Sequence, residues 1–232
     1  MNPFYSKKHT CPLCETVFTS YSLRPSVPRI EKRDADFHIQ YKTHSPTHYN
    51  IIVCPECFYA CPANSFKEPV SPIQKKSLLR ALNILCKDKP KTNLWEQRTL
   101  SEVLDSYLLA VKTAQLKKTT AGTLASLLLG VAWICREMDN HELELQYLQD
   151  ALGQYEINYV NEKIPPGFTE KSLPYLIGVL KFLTGDYESS IRWLDKAYRI
   201  KTEDYAGDKI INTNIQNQRY SAKEEYDKNK KA

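Results

Sequence analysis

The chain has 232 residues, 42% hydrophobic and 25% charged, with a formal net charge of +5. This composition is that of one large or two small globular domains and excludes disordered and fibrous classes. No apolar run reaches the ~18 residues of a membrane span. The opening Met-Asn-Pro-Phe-Tyr-Ser-Lys-Lys has no apolar stretch behind it, so no signal peptide is expected and the cytoplasm is the expected compartment.

The first elements surround cysteines. Two knuckles, Cys11-Pro12-Leu13-Cys14 and Cys54-Pro55-Glu56-Cys57, stand 39 residues apart. Strands are expected over 16–23, over 37–42, where apolar and polar residues alternate, and over 49–53. Residues 24–29 hold two prolines and read as a loop, and Ser45-Pro46-Thr47 reads as a turn. Together they suggest a short antiparallel sheet clamped at its base.

From Ser71 the period changes to that of helices. Ser71 suits an N-cap and Pro72 the first helical position. Leu78, Leu79, Leu82, Leu85 and Cys86 recur on one face, and Lys89-Pro90-Lys91 ends that helix. Further helices are expected over 99–117, with Ser101 and Glu102 behind Thr99 as a loose start, and over 120–138. Asp139-Asn140 breaks the chain before another at 141–159, and Pro165-Pro166-Gly167 forms a loop. Three more follow at 173–184, 187–200 and 204–228, the last with a frayed Asn- and Lys-rich end.

Residues 173–200 carry a repeat signal. Gly178, Gly185, Asp186, Tyr187, Ile191, Leu194 and Ala197 follow the tetratricopeptide pattern. Gly178 allows close helix approach, Gly185-Asp186 ends one helix and starts the next, and Ala197 suits a tight crossing. Ser190 stands where the pattern prefers Ala, and Lys181 where it prefers an aromatic residue, with Phe182 beside it. A weaker copy comprises Gly130, Trp133, Leu145, Leu148, Ala151 and Leu152. A plain helical bundle is the competing reading of the same periodicity.

The chemistry centres on seven cysteines, an odd number. In a reducing compartment two C-x-x-C pairs read as a metal site rather than a disulfide framework. Cys11, Cys14, Cys54 and Cys57 are the expected ligands of one structural Zn²⁺, a closed set with no position left for substrate. Iron fits four sulfurs as well. Cys61 could replace a ligand, react beside the metal, or pack in the first turn of a helix, burial being the commonest fate of such a thiol. Cys86 and Cys135 read as core. His9, His38, His44 and His48 read as surface or hydrogen-bonded residues, His141 as a capping or surface residue. Asp34 and Asp36 are explained by solvation or by pairing with Lys32 and Arg33. Glu142 and Glu144 follow His141, but the second His of a metalloprotease helix is missing.

In combination these features resemble a bacterial family known only as domain of unknown function 2225. Knuckle one, Arg33-Asp34-Ala35-Asp36-Phe37, Tyr49 ahead of Val53-Cys54-Pro55-Glu56-Cys57-Phe58-Tyr59-Ala60, and the Gly-Asp-Tyr-Glu helical pair carry the resemblance. It implies a zinc-ribbon-like N-terminus with tetratricopeptide-like helices, and the family name implies no known activity. Phe58 departs from the family's frequent Gly after the second knuckle, where a positive φ would favour glycine.

The expected fold is α+β, mainly α, with a metal-binding module over 1–68 and a helical region over 69–232. A non-enzymatic scaffold for a protein or peptide partner is the leading expectation. Net charges are +2 for 1–68, +6 for 69–118 and −3 for 119–232. Nucleic-acid binding is therefore the first alternative, with Arg24, Arg29, Lys32, Arg33, Lys75, Lys76 and Arg80 as a basic face and Tyr21 and Tyr41 for stacking. A thiol-based sensor or enzyme using Cys61 is the second. No membrane partner is expected.

Overall fold

A computed structural model describes residues 2–87, 97–161, 163–165, 167–201 and 205–231, with backbone only at 205–209 and 231. Among the described residues the fold is α+β and mainly α: six short strands and a 3₁₀ turn near the N-terminus, then seven α-helices. Among the described residues no helix is long and apolar enough to cross a membrane.

The strands form three separate pairs rather than the single sheet expected. β1 (Phe4–Thr10) runs antiparallel to β2 (Val17–Leu23), from Phe4 opposite Leu23 to Thr10 opposite Val17. β3 (Ile30–Arg33) pairs with β4 (Ile39–Tyr41). β5 (Ile51–Val53) runs antiparallel to β6 (Ala60–Pro62). Each knuckle is thus the tip of its own hairpin. Tyr49 falls in a short 3₁₀ turn, Pro46–Tyr49, ahead of β5.

α1 (Pro72–Leu85) starts as expected, with the Ser71 hydroxyl accepting from the Gln74 N–H. Its expected end at Lys89-Pro90-Lys91 lies outside the described residues. α2 (Leu100–Lys117) begins with a full capping box. Thr99 Oγ1 accepts from the Glu102 N–H, and the Glu102 carboxylate accepts from the Thr99 N–H at 2.7 Å. The start is therefore tight, because Thr-x-x-Glu satisfies two orphan N–H groups reciprocally. α3 (Ala121–Glu137) is apolar almost all round and buried accordingly. Asp139 takes φ 55° in the break before α4 (His141–Asn161). α5 (Ser172–Leu183), α6 (Tyr187–Arg199) and α7 (Tyr205–Lys231) complete the chain. α7 continues through the stretch expected to fray. Lys228 pairs with Glu225 at 2.6 Å and Lys230 lies 4.6 Å above the Tyr226 ring, contacts that hold its last turns.

The chain divides into two compact units. The first comprises Met1–Lys32, Gln40–Thr119 and Gly130–His141. Its core joins the knuckle cysteines to Leu13, Ile52, Tyr59, Phe66 and Val70, and to Leu78 and Leu82 of α1. α2 is tied to the second knuckle's hairpin by polar contacts. Arg98, just ahead of it, donates to the carbonyls of His48 and Ile51, both at 3.0 Å. Lys117 Nζ meets the Tyr59 hydroxyl at 3.2 Å.

The second unit comprises Arg33–Ile39, Thr120–Leu129 and Glu142–Ala232. α5 and α6 form an antiparallel hairpin with a tight seam. A Cβ on Gly178 would come within 2.8 Å of Leu194 Cγ. Ser190, fully buried, donates from Oγ to the Gly178 carbonyl at 2.7 Å. Gly185 takes φ 86°, and Asp186 caps α6 by accepting from the Ser189 N–H. Lys181 turns to Glu156 and Asp186, while Phe182 packs on Tyr187. In the weaker copy, a Cβ on Gly130 would meet Tyr107 of α2, within the first unit. The close approach to α4 falls instead at Gly122, against Asn158.

Candidate metal centre

The two knuckles have the same backbone construction. In the first, the Cys11 N–H donates to the Thr16 carbonyl and the Glu15 N–H to the Cys11 carbonyl, both at 2.9 Å. In the second, the Cys54 N–H donates to Tyr59 at 2.9 Å and the Phe58 N–H to Cys54 at 3.0 Å. Closing each turn puts the residue after the second cysteine in the left-handed region, Glu15 at φ 66° and Phe58 at φ 59°. The departure at Phe58 thus sits where glycine's freedom would serve, and a phenylalanine still adopts the conformation.

The four thiols converge. Cys11 Sγ lies 3.6 Å from Cys57 Sγ, and Cys14 Sγ lies 3.5 Å from Cys54 Sγ. All four sulfurs fall within 4.8 Å of one another, a cluster that could hold a metal ion. Sulfurs at the corners of a tetrahedron ~2.3 Å from its centre would stand ~3.8 Å apart, so the spacing fits. Cys11, Cys54 and Cys57 are buried and Cys14 is half-buried.

The electrostatics of the cluster are compatible with a cation. Hydrogen bonds from Cys54 and then Cys57 hold the Cys11 thiol down to about 4. The contact with Cys11 pushes Cys54 and Cys57 up. One thiolate among its neighbours is what these contacts favour, and several together need a positive ion between them. The Leu13 N–H approaches Cys11 Sγ at 3.4 Å, easing the charge on that sulfur.

The other singled-out residues lie outside this cluster. Cys61 is on β6, not in a helix, because the chain after the second knuckle returns as a strand. Its thiol is buried in the core around the knuckles and pushed up to about 11 by that burial. Cys86 and Cys135 are buried, as expected of core residues. His9 is buried, with Nε2 2.9 Å from the Ser20 hydroxyl and its ring against Phe18. Burial first, then Lys7 and Lys67, hold it below the usual histidine range. His44 packs on Phe4, and His48 Nε2 lies 2.6 Å from a Glu137 oxygen. His141, exposed, opens α4, with Glu142 and Glu144 in the first turn, where carboxylates suit the helix dipole.

His38 is hydrogen-bonded, as expected, and Asp36 is buried rather than solvated. Asp36 is 1% exposed, so solvation does not explain it, and His38 is 2% exposed. His38 Nδ1 lies 3.1 Å from an Asp34 oxygen, and the His38 N–H approaches Asp36 Oδ1 at 3.4 Å. These residues build the tip of the β3–β4 hairpin. The Phe37 N–H donates to the Asp34 carbonyl, and Phe37 itself takes φ 69°. No short motif announces this tip, because the residues that bury it, Phe168 and Tyr175, come far later in the chain.

These features define a protein in which a cluster of four cysteines on paired hairpins is joined to a predominantly helical remainder. The chain belongs to the family described as "Uncharacterized protein conserved in bacteria (DUF2225)", whose profile matches residues 4–222. Comparison with curated proteins and with solved structures returns no match.

Proposed function

We propose that this protein is a non-enzymatic interaction scaffold. Zn²⁺ bound by Cys11, Cys14, Cys54 and Cys57 fixes the two knuckle hairpins, and tetratricopeptide-like helices offer a surface to a protein or peptide partner. The observation that carries the reading is the closed, largely buried four-sulfur cluster. Such a site contributes folding energy and leaves no ligand position for substrate. The Gly178–Leu194 seam and the Gly185-Asp186 junction support the repeat-like pairing of α5 and α6. A reducing cytoplasm is the compartment in which such thiols stay available to metal.

The alternatives draw less support. Tyr21, a candidate for stacking on bases, already stacks on Phe4 at 5.7 Å, and Lys75 pairs with Glu15. Burial of Cys61 disfavours a reactive thiolate.

Metal analysis joined to crosslinking in bacterial cells tests the proposal. One Zn²⁺ per chain and a stoichiometric protein partner are expected. A folded protein free of metal, or one that crosslinks only to nucleic acid, would overturn it.

A further inference from the structure

The tip of the β3–β4 hairpin is held by the helices of the second unit as a bound peptide would be. The Tyr175 hydroxyl donates to the Ala35 carbonyl at 2.9 Å. Phe37 packs on Tyr175 at 5.4 Å and on Phe168 at 6.3 Å. Ala35 and Ile211 close over a core made by Tyr175, Val179, Leu194, Ala197 and Ile215. A phenylalanine at positive φ is a backbone outlier, and its ring contacts explain why it is tolerated at that place.

A cleft of about 700 Å³ runs beside this tip. Arg33, Asp34, Phe37 and Tyr175 line it together with residues of α7. On α7 the lining residues are Ile210, Asn214, Asn217 and Gln218. Their spacing of four, three and one residues keeps them on one helical face. The face spans about 12 Å at the helical rise, the length of roughly four residues of extended chain. Each carboxamide offers both a donor and an acceptor, the pair that an extended backbone also presents. Ile210, 70% exposed, and Phe37 supply apolar surface. The charges are asymmetric. Asp34 is engaged by His38, whereas Arg33 is exposed on its strand and faces the cleft as its cation.

We propose that this composite cleft binds an extended peptide segment that carries one carboxylate and one branched aliphatic side chain. The carboxamides of α7 pair with its backbone, Arg33 takes the carboxylate, and Ile210 with Phe37 takes the aliphatic group. The inference rests on the scaffold reading and assigns the surface and the partner's chemistry. A single arginine beside a row of neutral amides suits one carboxylate better than a polyanion.

Fluorescence polarisation with the full, metal-loaded chain tests it. The probes are two pools of labelled octapeptides with a fixed central Ile, one pool flanked by Asp or Glu and the other by Lys or Arg. The acidic pool is expected to bind at least tenfold more tightly. Arg33→Glu should reverse that preference, and Asn214→Ala with Asn217→Ala should weaken binding at least fivefold. These side chains are exposed, so unchanged circular dichroism is expected of the variants. Acidic-pool binding that ignores both changes overturns the cleft while leaving the scaffold reading intact. Absence of peptide binding by a protein that crosslinks to a partner in cells overturns the cleft alone. Absence of both overturns both. Tighter binding of a single-stranded oligonucleotide that is lost in Arg33→Glu overturns the peptide assignment in favour of nucleic acid.

Discussion

Glu15 and Phe58 adopt the same left-handed backbone conformation at matching places in the two knuckles, at φ 66° and 59°. A side chain in this region costs ~1–2 kcal/mol, and replacing it with glycine returns ~0.4–1 kcal/mol of unfolded-chain entropy. Glu15 is exposed, and its contact to Lys75 is a surface pair. Glu15→Gly should therefore raise the unfolding free energy by roughly 0.5–1 kcal/mol. Phe58→Gly should gain less, because a half-buried ring is given up. Urea melts of the metal-loaded protein check both, and a destabilised Glu15→Gly variant would contradict this account of the knuckle.

Removal of the proposed metal should loosen the N-terminal hairpins first. In small zinc domains the bound ion contributes ~10–16 kcal/mol of apparent binding energy that is also folding energy. A chelator, or Cys57→Ser, should lower the melting temperature sharply and expose thiols to alkylation. Cys61→Ala should leave the metal-to-protein ratio unchanged, since Cys61 lies outside the four-sulfur cluster. A drop in metal content in Cys61→Ala would show that the ligand set is wrong.

Two glycines should respond in opposite directions. Gly178→Ala would push a methyl to 2.8 Å from Leu194 Cγ and 3.2 Å from the Leu194 backbone nitrogen. Overpacking of this kind costs ~1–3 kcal/mol. A Cβ on Gly153 of α4 meets nothing within 4 Å, so Gly153→Ala should stabilise by ~0.5–1 kcal/mol through helix propensity. Equal responses from the two would argue against a close α5–α6 seam.

Asp186 gives a pH signature. Partial burial pulls its carboxyl up, but hydrogen bonds from Ser189 and the Lys181 ammonium outweigh this and leave it below the usual 3.8. A carboxylate depressed in the folded state stabilises above its unfolded value, and the contribution disappears as pH falls through the folded one. Asp186→Ala should cost ~1 kcal/mol near neutrality through the lost cap. The gap to wild type should narrow as pH falls below 3.8. A gap independent of pH would mean that the charge plays no part.

What was legible in the sequence followed from local chemistry. The knuckles announce themselves by spacing, and α2 to α7 by apolar period and breaks such as Asp139-Asn140. β1 gave no signal because only Phe4 and His9 of its seven residues are buried, which is not an alternating pattern. β3 is exposed throughout, and β6 is three residues long. The capping box at Thr99 and Glu102 was visible as Thr-x-x-Glu, although the start reads as loose when attention falls on Ser101. The burial of Asp36 and His38 could not be read locally. It depends on a hairpin tip packed against residues in α5 and α7.

That long reach has a consequence for biosynthesis. Tyr175, whose hydroxyl takes the Ala35 carbonyl, follows it by 140 residues. At ribosomal rates of about 5–20 residues per second the tip waits on the order of ten seconds for its receptor. During that interval Phe37 has no helical surface to cover it, and a nascent chain halted before α7 leaves the Ala35 side of the tip short of Ile211 and Ile215. One of the earliest segments to leave the ribosome is thus among the last to reach its final packing. Premature termination near the 3′ end of the message would mark the product, far upstream, with an apolar patch on the Ala35 side of the tip that chaperones and proteases recognise.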